Sequence, residues 1–520
     1  MKKSRSLTIR LIKRGVKEDE IFRDTQELEK IDLKSGFDFE GAVYIKPSRS
    51  KAPAWVSLLS SGTTRPITKV FSAQASALLL VKTQKGKFAI SFGHSWQWLN
   101  ENSIERRFGL LAALNCIEDD QIKLVDAQQI DSLALNRRAQ ASHSSELISF
   151  GLDIRRDLMK AIIGRPKSKD VGKSIMGADA LRITCSIEFS DIGKKCNQMF
   201  ALSKKKDYQT NYGWVDNIEL VKAPNAKMDL DAILVKAINS GETERIFLAP
   251  PRIRDINAEE EYRYHFDKGL DENRADIEFE EFLEGIKGNL PIDLDFLKQH
   301  RISVFASGGS ISIDTFNIYS CIVFEAMKDG RLFCLIDGDW YSVSKDHVEF
   351  VNKRAAQITK STINLPKAKL KEKEGDYNLR ASRTLNALCM DKRMIGYGGG
   401  ASKIEVCDIL TSTPAFIHVK RASSSQLLSH LFNQGVVSGQ SLLDEDFRKE
   451  CTKKADAAYH KFFSTPYDAG KVTVTFGVIS KNAKKLPEAL PFFSKQTLVN
   501  ASDLLRKFNY NVELHGIEIA

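Results

Sequence analysis

Ile404-Glu405-Val406-Cys407-Asp408-Ile409-Leu410, then, past a short turn containing Pro414, Ala415-Phe416-Ile417-His418-Val419-Lys420: the fold of the C-terminal third turns on this passage. Both runs are apolar and bounded by turn residues, so they read as two strands of a hairpin, Lys403 to Leu410 and Ala415 to Arg421. Side chains two apart on a strand share a face, so His418 and Lys420 point together, and the hairpin brings Asp408 towards them. An unpaired charge inside so apolar a strand is costly, which marks Asp408 as a residue with a partner. Glu405 lies an odd number of residues from Asp408 and in a regular strand would face away.

Outward from the hairpin, the pattern is a helix from Asp376 to Met390, a glycine turn at Gly396-Tyr397-Gly398-Gly399-Gly400, the two strands, and a helix from Ser423 to Asn433. A helix from Asp444 to Phe462, a strand from Lys471 to Ile479, a helix from Lys495 to Phe508 and a strand from Asn511 to Ile519 close the chain. Helix, strand, strand, helix, strand is the layout of a compact α/β nuclease core. In the helix after the hairpin, Leu427, Leu428, Leu431 and Phe432 form an apolar stripe, while Gln426, His430 and Gln434 recur every four residues as a polar one. Ser424 and Ser425 stand where a helix is capped or an anion held.

Phosphodiester hydrolysis needs a carboxylate to hold a divalent cation and a cation to orient water or offset the charge that develops on the phosphate. Asp408 and Lys420 supply one of each. The pattern resembles the PD-(D/E)xK motif of restriction-endonuclease-like proteins, in which an aspartate precedes an acid-x-lysine strand. That resemblance implies an α+β multi-domain protein with a restriction-endonuclease-like core and Mg²⁺ or Mn²⁺ as cofactor. Asp408 becomes a metal ligand, Lys420 orients water, and Gln434 supports the site. His418 replaces the second acid, and imidazole suits Mn²⁺ better than Mg²⁺. Either His418 is an alternative ligand or another acid compensates. Glu374 and Glu405 are the candidates, and Glu374, just ahead of the first core helix, is favoured. Arg421, Ser424 and His430 would meet nucleic acid. The plainer reading is a β-hairpin with a solvated charged edge.

The rest of the chain reads as further mixed segments. Residues 1–130 are a β-rich α+β domain, with a helix over Arg107 to Asn115. Residues 131–300 form a second α+β domain for recognition. Ile154 to Ile163 has helical spacing, Ile183 to Phe189 reads as a strand, and Met228 to Ile238 as a helix. Residues 301–361 are a β-rich connection with a hairpin turn at Lys328-Asp329-Gly330, and 362–520 are the nuclease-like domain. Asn364 to Lys373, with alternating lysines, is the nearest thing to a linker.

Nearly the whole length resembles a sporadically distributed bacterial family of unassigned function. The resemblance rests on Phe92-Gly93-His94, Phe108-Gly109-Leu110 with Leu114-Asn115, Phe150-Gly151-Leu152-Asp153 with Arg155-Arg156-Asp157-Leu158, and Glu374-Gly375-Asp376-Tyr377-Asn378. It continues through Ile404 to Asp408, His418 to Arg421, Leu428 to Leu431 with Gln434-Gly435, and Leu490 to Lys495. Sporadic distribution implies mobile or defence genes, such as anti-phage or restriction systems. The HxK form, and with it His418, is then a family trait.

The 520 residues carry 77 Lys and Arg against 67 Asp and Glu, a formal charge of +10 that suits a polyanionic partner without requiring one. Arg137, Arg138, Lys204, Lys205 and Lys206 are candidate phosphate contacts; each is also what a solvated surface looks like. The aromatic run Phe92 to Trp98 suits base stacking but more simply packs a turn. The eight cysteines lack zinc-knuckle spacing and read as buried thiols. No P-loop, HExxH, nucleophile elbow or dinucleotide fingerprint is present. No span or export signal is apparent, so the cytoplasm is the expected compartment, with nucleic acid, DNA ahead of RNA, as partner and homo-oligomerisation left open. The alternative function is a non-catalytic nucleic-acid sensor or scaffold of a defence system.

Overall fold

A computed structural model describes the chain except residues 1–3, 25–26, 47–53, 66–67, 69–74, 130–135, 153–156, 243, 252–259, 266–272, 307–311, 398–401 and 423–424. The chain is mixed α+β and divides into two compact units. One comprises residues 1–128 and 137–215, the other residues 129–136 and 216–520.

The first unit is built on a ten-stranded sheet. Its first strand, Ser4–Leu11, pairs on one side with Lys87–Phe92 and on the other with Leu181–Ser186. The sheet therefore crosses the boundary expected near residue 130. The helical reading of Ile154 to Ile163 is overturned: Asp157–Pro166 is a strand that pairs with Ser174–Gly177 through Ile162 and Gly177. Seven of its ten positions are buried, so both of its faces are covered. A strand covered on both faces is apolar throughout, and such a run imitates helical spacing.

The second unit holds the remaining sheets. A five-stranded antiparallel sheet joins Ile218–Leu220, Asp339–Val343, Arg331–Ile336, Ile322–Lys328 and Ile246–Leu248. Its hairpin turns at Asp329-Gly330, both residues with positive φ (49° and 71°). That is the mirror-image turn which matches strand twist, and it explains the glycine. The expected connection 301–361 is thus part of a sheet reaching back to residue 218. A three-stranded antiparallel sheet follows: β1 (Glu260–His265), β2 (Arg301–Ala306) and β3 (Ser312–Asn317).

The C-terminal sheet has six strands: β4 (Thr359–Lys360), β5 (Leu388–Cys389), β6 (Ile409–Leu410), β7 (Ala415–Arg421), β8 (Thr473–Ile479) and β9 (Asn511–Ile517), in the order β4-β9-β8-β7-β6-β5. β5, β6 and β7 form an antiparallel meander. β7, β8 and β9 run parallel, linked by helices α2 (Ser425–Ser441) and α3 (Phe492–Lys507). Helix α1 (Glu374–Thr384) precedes the meander.

Strand alternation divides this core. Phe416, Phe476 and Val478 face α2 and α3, meeting Leu428, Leu431, Phe432 and Leu505. Ala415, Ile417 and Val419 face α1, meeting Tyr377 and Ala381. Gly435 lets α2 lie directly on the sheet, since a Cβ there would sit 2.5 Å from the Phe476 ring. The lysine-rich stretch before α1 is packed and is no linker. Ala368 is fully buried, its N–H donates to the Glu518 carbonyl, and Ala368 bridges in parallel to Ile519.

One buried acid ties the five-stranded sheet to α3. Glu325 accepts the N–H groups of Phe492 and Phe493, at 2.7 and 2.8 Å, in the first turn of that helix. Burial pushes its carboxyl up to about 7, against the pull of the two N–H groups. Glu325→Ala strands two helix-start donors and opens a cavity, so a loss of about 2–4 kcal/mol is expected in denaturant unfolding. A change under about 0.5 kcal/mol, the range of ordinary surface substitutions, would show that water replaces the carboxylate at no cost.

Seven of the eight cysteines are buried and Cys389 is half-buried. Among the described residues no helix is long and apolar enough to cross a membrane.

Candidate metal centre

The expected strand Lys403 to Leu410 is broken. Ser402–Ile404 pairs with Ile395–Tyr397 as a separate hairpin, residues 405–408 are irregular, and β6 begins at Ile409. Strand alternation therefore does not govern Glu405. Its carboxylate turns towards Asp408, and together with Asp391 the three acids each place one oxygen within 4.8 Å of the others. The backbone carbonyl of Asp408 accepts the N–H groups of Met390 and Asp391, at 2.8 and 3.1 Å, which sets Asp391 beside it. The sequence pattern does not mark Asp391, because the helix expected to run to Met390 ends at Thr384. The helix gives way to β5, and the β5–β6 pairing is what delivers Asp391.

Asp408 is 9% exposed. One carboxylate oxygen accepts the Val419 N–H at 2.6 Å and the other accepts Asn378 Nδ2 at 3.1 Å. Burial pushes its carboxyl up to about 8; the Val419 hydrogen bond opposes this, and the charges of Glu405, Asp391 and Glu374 add to it. Glu405 is likewise raised, first by burial, against a 2.6 Å hydrogen bond from the Lys392 N–H. These groups are crowded in the sense that a divalent cation relieves.

Glu374 has a different partner. Its Oε1 lies 2.9 Å from Lys420 Nζ and its Oε2 accepts the Arg421 N–H at 3.2 Å. Burial alone would lower the Lys420 ammonium; the hydrogen bond to Glu374 and the charges of Glu374, Asp408 and Glu405 outweigh it and hold the pKa above its ordinary value. Of the two compensating acids weighed from sequence, Glu405 joins Asp408, while the favoured Glu374 anchors the lysine.

His418 is placed apart from the carboxylates. It is 2% exposed, its ring stands 6.3 Å from that of Phe476, and burial drops its pKa to about 4. Among the described residues its Nε2 and the Oδ1 of Asn378 are buried polar atoms without a hydrogen-bond partner. Asn378 is 1% exposed and its amide nitrogen already touches Asp408, so an unused oxygen lies beside the carboxylates. Three carboxylates and an amide oxygen are the donor chemistry of Mg²⁺ or Mn²⁺, so the residues fit such an ion without His418.

The remaining candidates scatter. Gln434 is half-buried and His430 exposed on α2; Ser424 lies outside the described residues, as do Gly398, Gly399 and Gly400. Arg421 donates to the carbonyls of Lys369 and Glu372, at 3.2 and 3.0 Å, and so braces the turn ahead of α1. In the other unit, Arg138 forms a two-pronged pair with Asp126 (both contacts 2.7 Å) and Arg137 lies 3.9 Å from Asp157. Lys204, Lys205 and Lys206 are exposed, with Lys205 3.4 Å from Asp207 and Lys204 over the Phe200 ring.

A family model described as "Family of unknown function (DUF6119)" matches residues 7–518. No curated protein and no solved structure matches the chain.

Proposed function

The chain belongs to the DUF6119 family, a family of unknown function, and from its site we propose a metal-dependent nuclease that hydrolyses phosphodiester bonds of DNA, or of RNA, in anti-phage defence or restriction. The observation that carries the reading is the meeting of Asp391, Glu405 and Asp408 beside the Lys420–Glu374 pair. The element order supports it: α1, β6, β7, α2 and parallel β8 run helix, strand, strand, helix, strand, with β5 added ahead of β6. The defence setting follows from the sporadically distributed family that the sequence resembles.

In this reading the three carboxylates hold Mg²⁺ or Mn²⁺, and Asn378 fixes the orientation of Asp408. A bound divalent ion would supply a Lewis acid and lower the pKa of water. Lys420, held by Glu374, orients the attacking water or offsets charge on the phosphate. The rival reading, a non-catalytic nucleic-acid sensor, draws on His418, which is buried against Phe476 where the motif carries its second acid.

Cleavage of plasmid and of single-stranded DNA and RNA by the purified protein, with Mg²⁺ or Mn²⁺ against EDTA, tests the proposal. Asp408→Asn is expected to lower the rate by about 10³-fold or more, a loss of some 4 kcal/mol of transition-state stabilisation. Cleavage that persists in Asp408→Asn sinks the assignment. Binding of nucleic acid with no turnover in either metal selects the sensor.

A further inference from the structure

The outer face of the three-stranded sheet forms a second site. Cross-strand partners share a face, so the pairs His265–Arg301, Arg263–Ser303 and Ser303–Thr315 set these five side chains together. Tyr262, Tyr264, Ile302 and Val304 face the other way, into the core. An open cavity of about 530 Å³ lies on the outer face, lined by His265, Gln299, His300, Arg301, Ser303 and Thr315. That volume is within the range of small-molecule sites.

Among the described residues no carboxylate lines this cavity. The acid on the same sheet face, Glu261, is engaged by Asn273 Nδ2 at 2.8 Å. Arg263 stacks 4.6 Å from the Phe305 ring and donates from Nε to Asn273 Oδ1. Arg301 is exposed and lines the cavity, and among the described residues it forms no ion pair. Ser303 Oγ stands between His265 Nε2 at 2.7 Å and Thr315 Oγ1 at 3.1 Å. His300 stacks on Phe296, and its Nδ1–H donates to the Phe296 carbonyl at 2.9 Å, which leaves Nε2 for a ligand. A guanidinium, two imidazoles, an amide and hydroxyls around one open space suit an anion with several oxygens. A carboxylate would be satisfied by Arg301 alone; a phosphate has oxygens for the remaining donors.

We propose that this cavity binds a phosphate-bearing small molecule of mononucleotide size, with Arg301 as its main anchor. The site is separate from the carboxylate centre and does not depend on the nuclease reading. Isothermal titration of the full chain in EDTA, with inorganic phosphate, AMP and ATP as probes, tests it. AMP or ATP is expected to bind, and Arg301→Ala, an exposed change that leaves the core intact, to weaken binding by about tenfold or more. His300→Ala weakens it less, and Asp408→Asn leaves it unchanged. AMP ahead of phosphate supports the nucleotide-sized ligand; phosphate binding as tightly as AMP overturns it in favour of a free-phosphate site. The proposal is overturned if none of the probes binds up to about 10 mM, or if Arg301→Ala binds as the wild type does. It is also overturned if a short oligonucleotide binds more tightly than AMP through Arg301, which would make the face a polynucleotide surface.

Discussion

Added Mg²⁺ is expected to stabilise the full chain, and to do so more at pH 8 to 9 than at pH 6. The cause is the raised carboxyl of Asp408, at about 8, with Glu405 raised beside it. A carboxyl whose folded pKa lies above its unfolded one contributes stability that is fully present below the ordinary carboxylate range. That contribution is lost as pH rises through the folded value. In EDTA, stability should therefore fall by about 2–3 kcal/mol between pH 6 and pH 9 on account of Asp408 alone. A divalent ion binds the ionised form, so it restores what ionisation removes, and at a hundredfold excess over its dissociation constant it adds about 2.7 kcal/mol. Denaturant melts across that pH range, with and without Mg²⁺, measure both effects. Asp408→Asn is the control. The new amide keeps its acceptor for the Val419 N–H, and Asn378 turns its unpartnered oxygen to meet the new donor, so folding survives. The pH dependence should flatten and the Mg²⁺ effect vanish in that variant. A wild-type profile that is flat in EDTA and indifferent to Mg²⁺ would remove the metal centre, whatever its geometry.

The contrast between Asp408 and Asp391 shows what the sequence carried. Asp408 was legible because a lone acid in an apolar run must be partnered, and its partners are the Val419 N–H and Asn378. The β7 bounds, Ala415–Arg421, were legible because a largely apolar run after the Pro414 turn ended in charge. Asp391 was illegible because nothing local marks it; it enters through the pairing of Leu388 with Leu410, a long-range fact. Glu405 was misjudged by an alternation rule applied to a segment that the Ser402–Ile404 hairpin interrupts. The pairing of Glu374 with Lys420 was not legible, since their spacing depends on how α1 meets the end of β7. The strand Asp157–Pro166 failed for a different reason: burial on both faces erases the period that separates strand from helix.

The pairing of Glu374 with Lys420 leads to the second large effect. Lys420→Ala is expected to cut the cleavage rate by about 10²–10³-fold, the loss typical of one preorganised group facing developing charge. Glu374→Gln leaves the ammonium in place but removes the carboxylate that holds it at 2.9 Å, so a smaller loss, of order tenfold, is expected. If Glu374 acts only through Lys420, the double variant is no slower than Lys420→Ala alone, because groups that work as a unit are not additive. If Glu374 is itself a metal ligand, the losses multiply and Glu374→Gln raises the Mg²⁺ concentration needed for half-maximal rate. Rates of the four proteins across a Mg²⁺ titration separate the two. Full additivity with a shifted Mg²⁺ requirement would move Glu374 into the metal set. Wild-type cleavage by Lys420→Ala would remove the lysine from the chemistry and leave its pair with Glu374 as a brace between α1 and β7.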